Sequence, residues 1–312
     1  MTEVGGRGAS GASGTSADGP LTVVVAAMKE EVAALLARIE GARQVAIPGV
    51  GGGLDVTVGR LRSAAIAVAV TGDGERNARR GLSALLATLP SVRRVIVAGV
   101  AGGLHPMLAQ AALVVCERVV EETAPPAAAS DAASDNRLVR RADPGLVEAA
   151  AKNAGARRGV AVTTAQIADT VAEKRRLLGV ATASAGDQTT STPLAAVVDL
   201  ESAAFAAVAD RAGVPWVVLR AVSDTADEAL PPLLNRSRDD GGAVQRGRVV
   251  ARLLGNPGAL FPLLVLRQRV RACAETLSRA VAITVSAMAV VDDGAAGLAV
   301  PVAPSTQPAG DV

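Results

Sequence analysis

Short runs of apolar residues alternate along the chain with stretches of helical periodicity. Leu21–Ala27 is an apolar, β-branched run, and it leads into Lys29–Ile39, where apolar residues recur at helical spacing. Ala64–Val70 is followed in the same way by a helical stretch at 75–89, and Arg94–Val100 is a third apolar run. Apolar strands that alternate with helices are typical of sheets buried on both faces. The pattern therefore predicts an α/β domain with a mostly parallel, twisted central sheet flanked by helices.

Four later apolar runs predict further strands, at Leu113–Glu117, Gly159–Thr164, Ala195–Val198 and Val214–Leu219. Helical periodicity resumes towards the end of the chain, at Val244–Leu254 and Leu260–Val281. Segments rich in Pro, Ala, Ser or Gly separate these elements and predict loops at Glu122–Asp135 and Leu230–Gly242.

The two ends of the chain differ in composition from the rest. Residues 1–20 and 283–312 are rich in Gly, Ala, Ser or Pro, which predicts a disordered leader and a disordered tail. Residues 21–282 form one predicted domain, in which 231–282 is a helical extension. With 312 residues and 50% hydrophobic content, the chain is long enough to bury such a core.

The charge and the residue inventory exclude several classes of function. The formal net charge is +2 and no long Lys/Arg block occurs, which argues against a nucleic-acid partner. The chain has one histidine, His105, and two distant cysteines, so a histidine-rich metal site is excluded and both cysteines are interpreted as reduced core residues. No long uninterrupted apolar window and no signal-peptide pattern occur, which predicts a cytoplasmic protein.

Candidate chemistry follows the strands, because ligands bind at the carboxyl ends of strands in open α/β sheets. Glycine turns are predicted at Thr71–Gly74 and Gly99–Gly103, and their N–H groups suit phosphate or ribose oxygens, although tight turns need glycine in any case. Acidic residues follow three other predicted strands, at Glu31, Glu201 and Asp224. Taken singly, each acid is equally well explained as a helix cap, a partner of a helix dipole or a solvated side chain.

Taken together, four segments resemble the nucleoside phosphorylase and nucleosidase superfamily, and they occur in that family's order. Ala27–Val32 (AMKEEV) is similar to the AMEEEV start of methylthioadenosine/S-adenosylhomocysteine nucleosidases, and Gly99–Leu104 (GVAGGL) is similar to their GSAGGL segment. Val198–Ala203 (VDLESA) resembles their VEMEA, and Pro215–Asp224 (PWVVLRAVSD) resembles their PFVVVRAISD. The resemblance covers roughly residues 21–230 and implies a purine N-glycosidase that acts on a small-molecule nucleoside.

The resemblance implies a role for each acid. Asp224 would protonate the purine at N7, Glu201 would bind the ribose hydroxyls, and Glu31 would take the proton of an attacking water. Further substrate contacts are expected at Gly72, Val100, Gly102, Gln166, Leu200 and Ser223. No metal or organic cofactor is implied. Inorganic phosphate stays open as a co-substrate, since the sequence does not decide between hydrolysis and phosphorolysis.

A closer resemblance is to the hopanoid-associated phosphorylases, also described as adenosylhopane nucleosidases. Ser223–Pro232 (SDTADEALPP) is similar to their SDPADRALPP, and Leu253–Leu264 to their LLRRPGQLPAL tail. This resemblance implies release of adenine from an adenosyl-hopanoid lipid by a homodimer. The apolar segment Leu260–Val270, followed by arginines, would then either contact the inner membrane peripherally or pack on the protein's own core.

Two alternatives to the lipid nucleosidase stay open. The first is a nucleosidase for methylthioadenosine, S-adenosylhomocysteine or futalosine, against which the extension after Leu230 argues. The second is a sensor that binds purine nucleosides without turnover. A sensor is disfavoured because binding alone would not need a positioned acid.

Overall fold

A computed structural model describes residues 21–48, 53–122, 138–184, 195–236 and 260–297. A ten-stranded sheet forms the centre of this part of the chain. Its strands are β1 (Leu21–Ala26), β2 (Glu40–Ile47), β3 (Leu54–Leu61), β4 (Ala64–Val70), β5 (Val92–Gly103), β6 (Leu113–Glu121), β7 (Leu138–Arg141), β8 (Arg157–Thr163), β9 (Ala195–Asp199) and β10 (Trp216–Asp224). The described helices are α1 (Lys29–Leu36), α2 (Glu75–Thr88), α3 (Pro144–Ala154), α4 (Val171–Ser184), α5 (Ser202–Ala212), α6 (Leu233–Arg236) and α7 (Leu260–Gly297).

The sheet is organised around β5. On one side β5 pairs in parallel with β1, which in turn pairs in parallel with β4. On the other side β5 pairs in parallel with β10 and, at its carboxyl end alone, in antiparallel fashion with β9. Because β10, β6, β8 and β9 are also paired in that order, they form a closed ring with β5. The carboxyl ends of β1, β5, β9 and β10 consequently meet at one edge of the sheet.

Burial explains why the central strands have these sequences. Every residue of β1 and every residue of β10 is buried, and both strands are built mainly from Val, Leu and Ala. Such continuous apolar runs suit a strand covered by helices on both faces. The α/β fold with a central sheet between helices is therefore confirmed, and both cysteines, Cys116 and Cys273, are buried and free as predicted.

The sheet is more mixed than the sequence predicted. An antiparallel hairpin of β2 and β3 extends the sheet beyond β4, and the apolar pattern did not predict it. The reason lies in its exposure, because all but two residues of β2 are exposed and its sequence (EGARQVAI) is mostly polar. The predicted glycine turn at Gly99–Gly103 is also wrong, since β5 continues through Gly103 and no helix opens there. In the same way, β10 continues to Asp224 rather than ending at Leu219.

The last described helix, α7, is longer than predicted. The prediction of a disordered tail from residue 283 is wrong up to Gly297, because the helix continues that far. Thr284 and Val285 are buried, so tertiary packing holds a segment whose composition alone suggested disorder. The helix packs on α1, α3 and β10. The predicted leader 1–20, the predicted helix Val244–Leu254 and residues 123–135 of the predicted loop lie outside the described residues.

One stretch of α7, Leu264–Val290, is long and apolar enough to cross a membrane by length and composition alone. Half of its most apolar window is buried inside the protein, with Leu277, Val281 and Val285 almost fully enclosed. This burial is the pattern of a helix that belongs to a core.

Candidate active site

A cavity of about 420 Å³ lies at the sheet edge where the carboxyl ends of β1, β5, β9 and β10 meet. Its volume falls in the range of small-molecule sites. Seven of the predicted site residues line it, namely Glu31, Val100, Gly102, Leu200, Glu201, Ser223 and Asp224. Two predicted contacts, Gly72 and Gln166, are outside the lining.

Glu31 is held in the cavity wall by two backbone donors. It occupies the first turn of α1, where its Oε2 accepts a hydrogen bond from the N–H of Met28 at 2.9 Å. Its Oε1 accepts a second bond from the N–H of Val100 on β5 at 2.8 Å. Burial of the carboxylate raises the pKa of Glu31, and the nearby Arg220 guanidinium and the two N–H groups oppose this rise. The site therefore holds a fixed carboxylate with enhanced basicity.

Arg220 is a buried cation beneath this wall. Its Nε donates to Oδ2 of Asp199 at 2.9 Å, and its Nη2 donates to Oγ of Ser202 at 2.8 Å. The guanidinium reaches this position because residue 99 is glycine. A Cβ atom at Gly99 would lie 2.0 Å from Nη1 of Arg220 and 2.7 Å from Oε1 of Glu31. The absence of a side chain at Gly99 of β5 therefore leaves space for the Arg220 guanidinium beside Glu31.

Glu201 stands at the start of α5 and faces the loop that follows β4. Its Oε1 accepts a hydrogen bond from the N–H of Gly74 at 2.9 Å, and its side chain is buried. Burial raises the pKa of Glu201 to about 7, although the Gly74 bond opposes the rise. The glycine loop therefore contributes through Gly74. Gly72 is outside the cavity lining, and its contact with substrate stays a prediction. A Cβ atom added at Gly72 would lie 3.3 Å from Nδ2 of Asn77 on α2.

Asp224 ends β10 opposite Gly102 of β5. Its Oδ1 accepts a hydrogen bond from Oγ of Ser223 at 2.6 Å, and its Oδ2 accepts one from Nζ of Lys174 at 2.6 Å. Asp224 is not an ordinary helix cap, because β10 is followed by a turn and no helix begins there. In this turn the N–H of Thr225 donates to Oε2 of Glu228 at 3.0 Å.

Lys174 is the side chain bound to Asp224, and the sequence did not predict this contact. It lies on α4 and its side chain has no exposed surface. Its spacing from apolar residues could have indicated that it is buried, because Lys174, Leu177 and Ala181 lie on one buried face of the helix. A lysine on an apolar stripe marks a buried charge, but nothing local identifies the partner, which is 50 residues away.

The wall contributed by the segment after β8 is aliphatic. Gln166 is exposed and does not reach the cavity, whereas its neighbours Ile167 and Ala168 line it. The turn holds this orientation because Oγ1 of Thr164 donates to the backbone oxygen of Gln166 at 2.7 Å. In this arrangement Gln166 does not line the cavity, and its role as a base contact stays a prediction. Among the described lining residues no aromatic side chain is present, and Phe205 is buried in the core.

Helix α7 forms the opposite wall, which the predicted site residues did not include. Leu266, Arg267, Val270 and Arg271 of α7 line the cavity there, together with Leu230 and Leu234. Arg267 and Arg271 are both exposed, and neither forms a hydrogen bond or an ion pair with another residue of the described ranges. The cavity thus combines the three predicted acids, together with Glu30, Asp73 and Asp199, with an apolar and basic wall.

A family model described as the phosphorylase superfamily matches residues 22–254, which is most of the chain. The chain belongs to the phosphorylase superfamily. This membership confirms the predicted enzyme class, an enzyme that cleaves glycosidic bonds. The match spans β1 to β10, and so it includes Glu31, Glu201 and Asp224. No curated protein matches the sequence.

Solved structures share the fold of this phosphorylase-superfamily chain at low sequence identity. The 5′-methylthioadenosine/S-adenosylhomocysteine nucleosidase of Neisseria meningitidis, in complex with methylthio-immucillin-A, has a TM-score of 0.60 and 20% identity, with 85% of this chain and 98% of that chain covered. The futalosine hydrolase of Helicobacter pylori has a TM-score of 0.62 and 20% identity, with coverage of 85% and 97%. The methylthioadenosine/S-adenosylhomocysteine nucleosidase of Helicobacter pylori has a TM-score of 0.61 and 20% identity, with coverage of 88% and 98%.

Proposed function

We propose that this protein hydrolyses the N-glycosidic bond of a 5′-substituted purine nucleoside and releases the free base, with adenine as the preferred base. The observation that carries the proposal is the convergence of Glu31, Glu201 and Asp224 on one cavity of about 420 Å³. Membership of the phosphorylase superfamily and likeness in fold to nucleosidases support it.

In the proposed reaction each carboxyl group has one task. Asp224 donates a proton to N7 of the purine as the bond between C1′ and N9 breaks, and the base leaves with the bond's electron pair. Glu201 accepts hydrogen bonds from the ribose hydroxyls and stabilises the positive charge that develops at C1′. Water then adds to C1′, and Glu31 takes the proton that the water loses. The products are the free purine and the free sugar.

Water is the favoured nucleophile because the arginines of α2 and β10 are engaged or outside the cavity lining, and the two lining arginines of α7, Arg267 and Arg271, are assigned to the 5′ group of the substrate. Arg220 is bound to Asp199 and Ser202, and Arg79 on α2 donates to Glu75 at 2.7 Å. Arg76 is exposed on the same helix and is not in the cavity lining. Glu31 stands beside Val100, and a carboxylate at that position suits water better than a phosphate dianion.

The wall formed by α7 favours a substrate with a substantial 5′ group. Leu230, Leu234, Leu266 and Val270 can cover the apolar part of a 5′ group. The substrate types named for the structural neighbours, methylthioadenosine, S-adenosylhomocysteine and futalosine, all carry a 5′ group. The same apolar wall supports a second candidate, an adenosyl lipid of the hopanoid type. This candidate rests on the sequence resemblance and on that wall, so we place it after the small nucleosides.

One assay tests the proposal and separates its alternatives. Purified protein is incubated with adenosine, methylthioadenosine, S-adenosylhomocysteine, futalosine and an adenosyl lipid, each with and without phosphate, and free base is measured. The proposal requires base release from at least one 5′-substituted nucleoside without phosphate. Strict dependence on phosphate would contradict hydrolysis. Tight binding without base release from any of the compounds would support a sensor instead.

A further inference from the structure

The strongest feature that the proposed function does not use is the ion pair between Lys174 and Asp224. The two side chains are 0% and 2% exposed, and Nζ lies 2.6 Å from Oδ2. The remaining hydrogen-bond donors of the ammonium are also engaged, by the backbone oxygens of Thr225 at 2.7 Å and Glu228 at 2.8 Å. An ammonium has three donors, so Lys174 is fully satisfied without water.

This arrangement joins two elements that are far apart in sequence. Lys174 lies in α4, whereas Asp224, Thr225 and Glu228 belong to the end of β10 and the turn that follows. The same turn is closed by the N–H of Glu228, which donates to the oxygen of Thr225 at 3.2 Å. A buried charge is costly unless it is paired and hydrogen-bonded, and this lysine meets both conditions. The lysine can therefore restrict the carboxyl group of Asp224 to one position.

We propose that Lys174 is a positioning residue for Asp224, a role that rests on the proposed function. Asp224 lines the cavity and Lys174 does not, so the lysine acts on the substrate only through the carboxyl group. It fixes Oδ2, while Ser223 binds Oδ1. In each turnover the Asp224 carboxylate first receives one proton from solvent and then passes it to N7, so the carboxylate is restored, and the ammonium at 2.6 Å stabilises that product of the proton transfer. Lys174 thereby makes Asp224 a better proton donor at the moment the base leaves.

A double-mutant cycle tests this role. The four proteins are the wild type, Lys174→Met, Asp224→Asn and the combined variant, and kcat and KM are measured with the best nucleoside found for the wild type. Lys174→Met is expected to lower kcat on the order of 100-fold, as for loss of general acid catalysis, with KM changed by less than about threefold. Adding Lys174→Met to Asp224→Asn is expected to cause no further loss, because the lysine has no acid left to assist.

Two comparisons keep the test decisive. Asp224→Asn still offers an oxygen acceptor to the Lys174 ammonium, beside the backbone oxygens of Thr225 and Glu228, and the combined variant has neither buried charge. These two proteins can therefore be compared even if Lys174→Met does not fold. Unequal residual kcat in these two proteins would overturn the proposal, as would near wild-type kcat in Lys174→Met. Lys152→Met, at an exposed lysine of α3, is the matched control and should retain full activity. If the wild type releases no base from any nucleoside, the proposed function itself has failed, and that outcome is distinct from the others.

Discussion

At the scale of single residues, Glu31 is the position where burial affects the proposed function most directly. Its carboxylate is buried among backbone donors, and that burial raises its pKa, which strengthens it as a base. Glu31→Gln keeps the size of the side chain but removes the base. We expect kcat to fall by about 10²-fold to 10⁴-fold with little change in nucleoside affinity. Glu148→Gln, at an exposed acid of α3, is the control, and equal kcat in the two variants would contradict the assignment.

The raised pKa of Glu201 predicts the pH dependence of catalysis. Its carboxyl group must be ionised to stabilise positive charge on the sugar, and its pKa lies at about 7 because of burial. The pKa of Glu31 is raised as well, and the proposed base must also be ionised. We therefore expect kcat/KM to rise as pH increases towards about 7, as Glu201 becomes ionised. A profile that is flat across this range would contradict the roles of both residues.

The raised pKa of Glu201 also affects stability, which decreases as pH rises whereas activity increases. The pKa of Glu201 is 4.5 in an ordinary environment and about 7 in the folded protein, so the folded state holds this proton more tightly. That contribution to stability is present below pH 4.5 and is lost as pH rises through about 7. Glu201→Gln removes this pH dependence. As pH rises over this range, the free energy of unfolding of the variant should therefore increase relative to that of the wild type, by up to about 3 kcal/mol. Denaturant unfolding at several pH values measures the difference, and a constant difference would contradict the prediction.

The residue scale also shows what a sequence can predict of a site. The three acids were predicted from the resemblance, because each stands in a local motif. Their partners were not, since Lys174 and Gly74 come from other elements and are positioned only by the folded chain. Near the predicted contact Gln166, the side chain that lines the cavity is that of Ile167, because the orientation of neighbouring side chains is set by the folded turn.

At the scale of elements, α7 supplies the substrate wall that we connect with specificity. Arg267 and Arg271 are one helical turn apart, and both line the cavity. Changing both to Gln is expected to raise KM by about tenfold for a nucleoside with a carboxylate on its 5′ group, with little effect on methylthioadenosine. Arg279→Gln on the same helix is the control, since Arg279 is exposed away from the cavity lining. Equal effects on both substrates would contradict an anion-binding role.

Elements were predictable where burial dictated their sequence. β4 (Ala64–Val70) has the predicted bounds, and β1 differs by one residue, because both are apolar except for the buried Thr22 of β1. The hairpin of β2 and β3 was missed because the exposed β2 has little apolar periodicity. The length of α7 was underestimated because its carboxyl-terminal turns are rich in Ala and Gly. Burial of Thr284 and Val285 shows that packing extends beyond the predicted end of the helix.

At the scale of the whole molecule, α7 belongs to the core that carries the site. Leu277 is 1% exposed within the main apolar cluster. Leu277→Ala is therefore expected to lower the free energy of unfolding by about 2–5 kcal/mol. Gln268→Ala, on an exposed face of α7, should change it by less than about 0.5 kcal/mol. Similar unfolding free energies for both variants would show that the helix is not anchored as described.

The homodimer, the cytoplasmic location and peripheral membrane contact stay predictions at this scale. Sedimentation analysis of the purified protein tests the first, and co-sedimentation with anionic liposomes tests the last. Because half of the apolar window of α7 is buried inside the protein, we expect at most weak liposome binding.

The central claim is that Asp224 is the acid that releases the purine from a nucleoside bound in this cavity. The most direct measurement compares single-turnover base release by the wild type and Asp224→Asn, with nucleoside affinity measured for both by calorimetry. The account predicts that the variant still binds the nucleoside but that base release is reduced by about 10²-fold to 10⁴-fold. Base release at the wild-type rate in Asp224→Asn would contradict it.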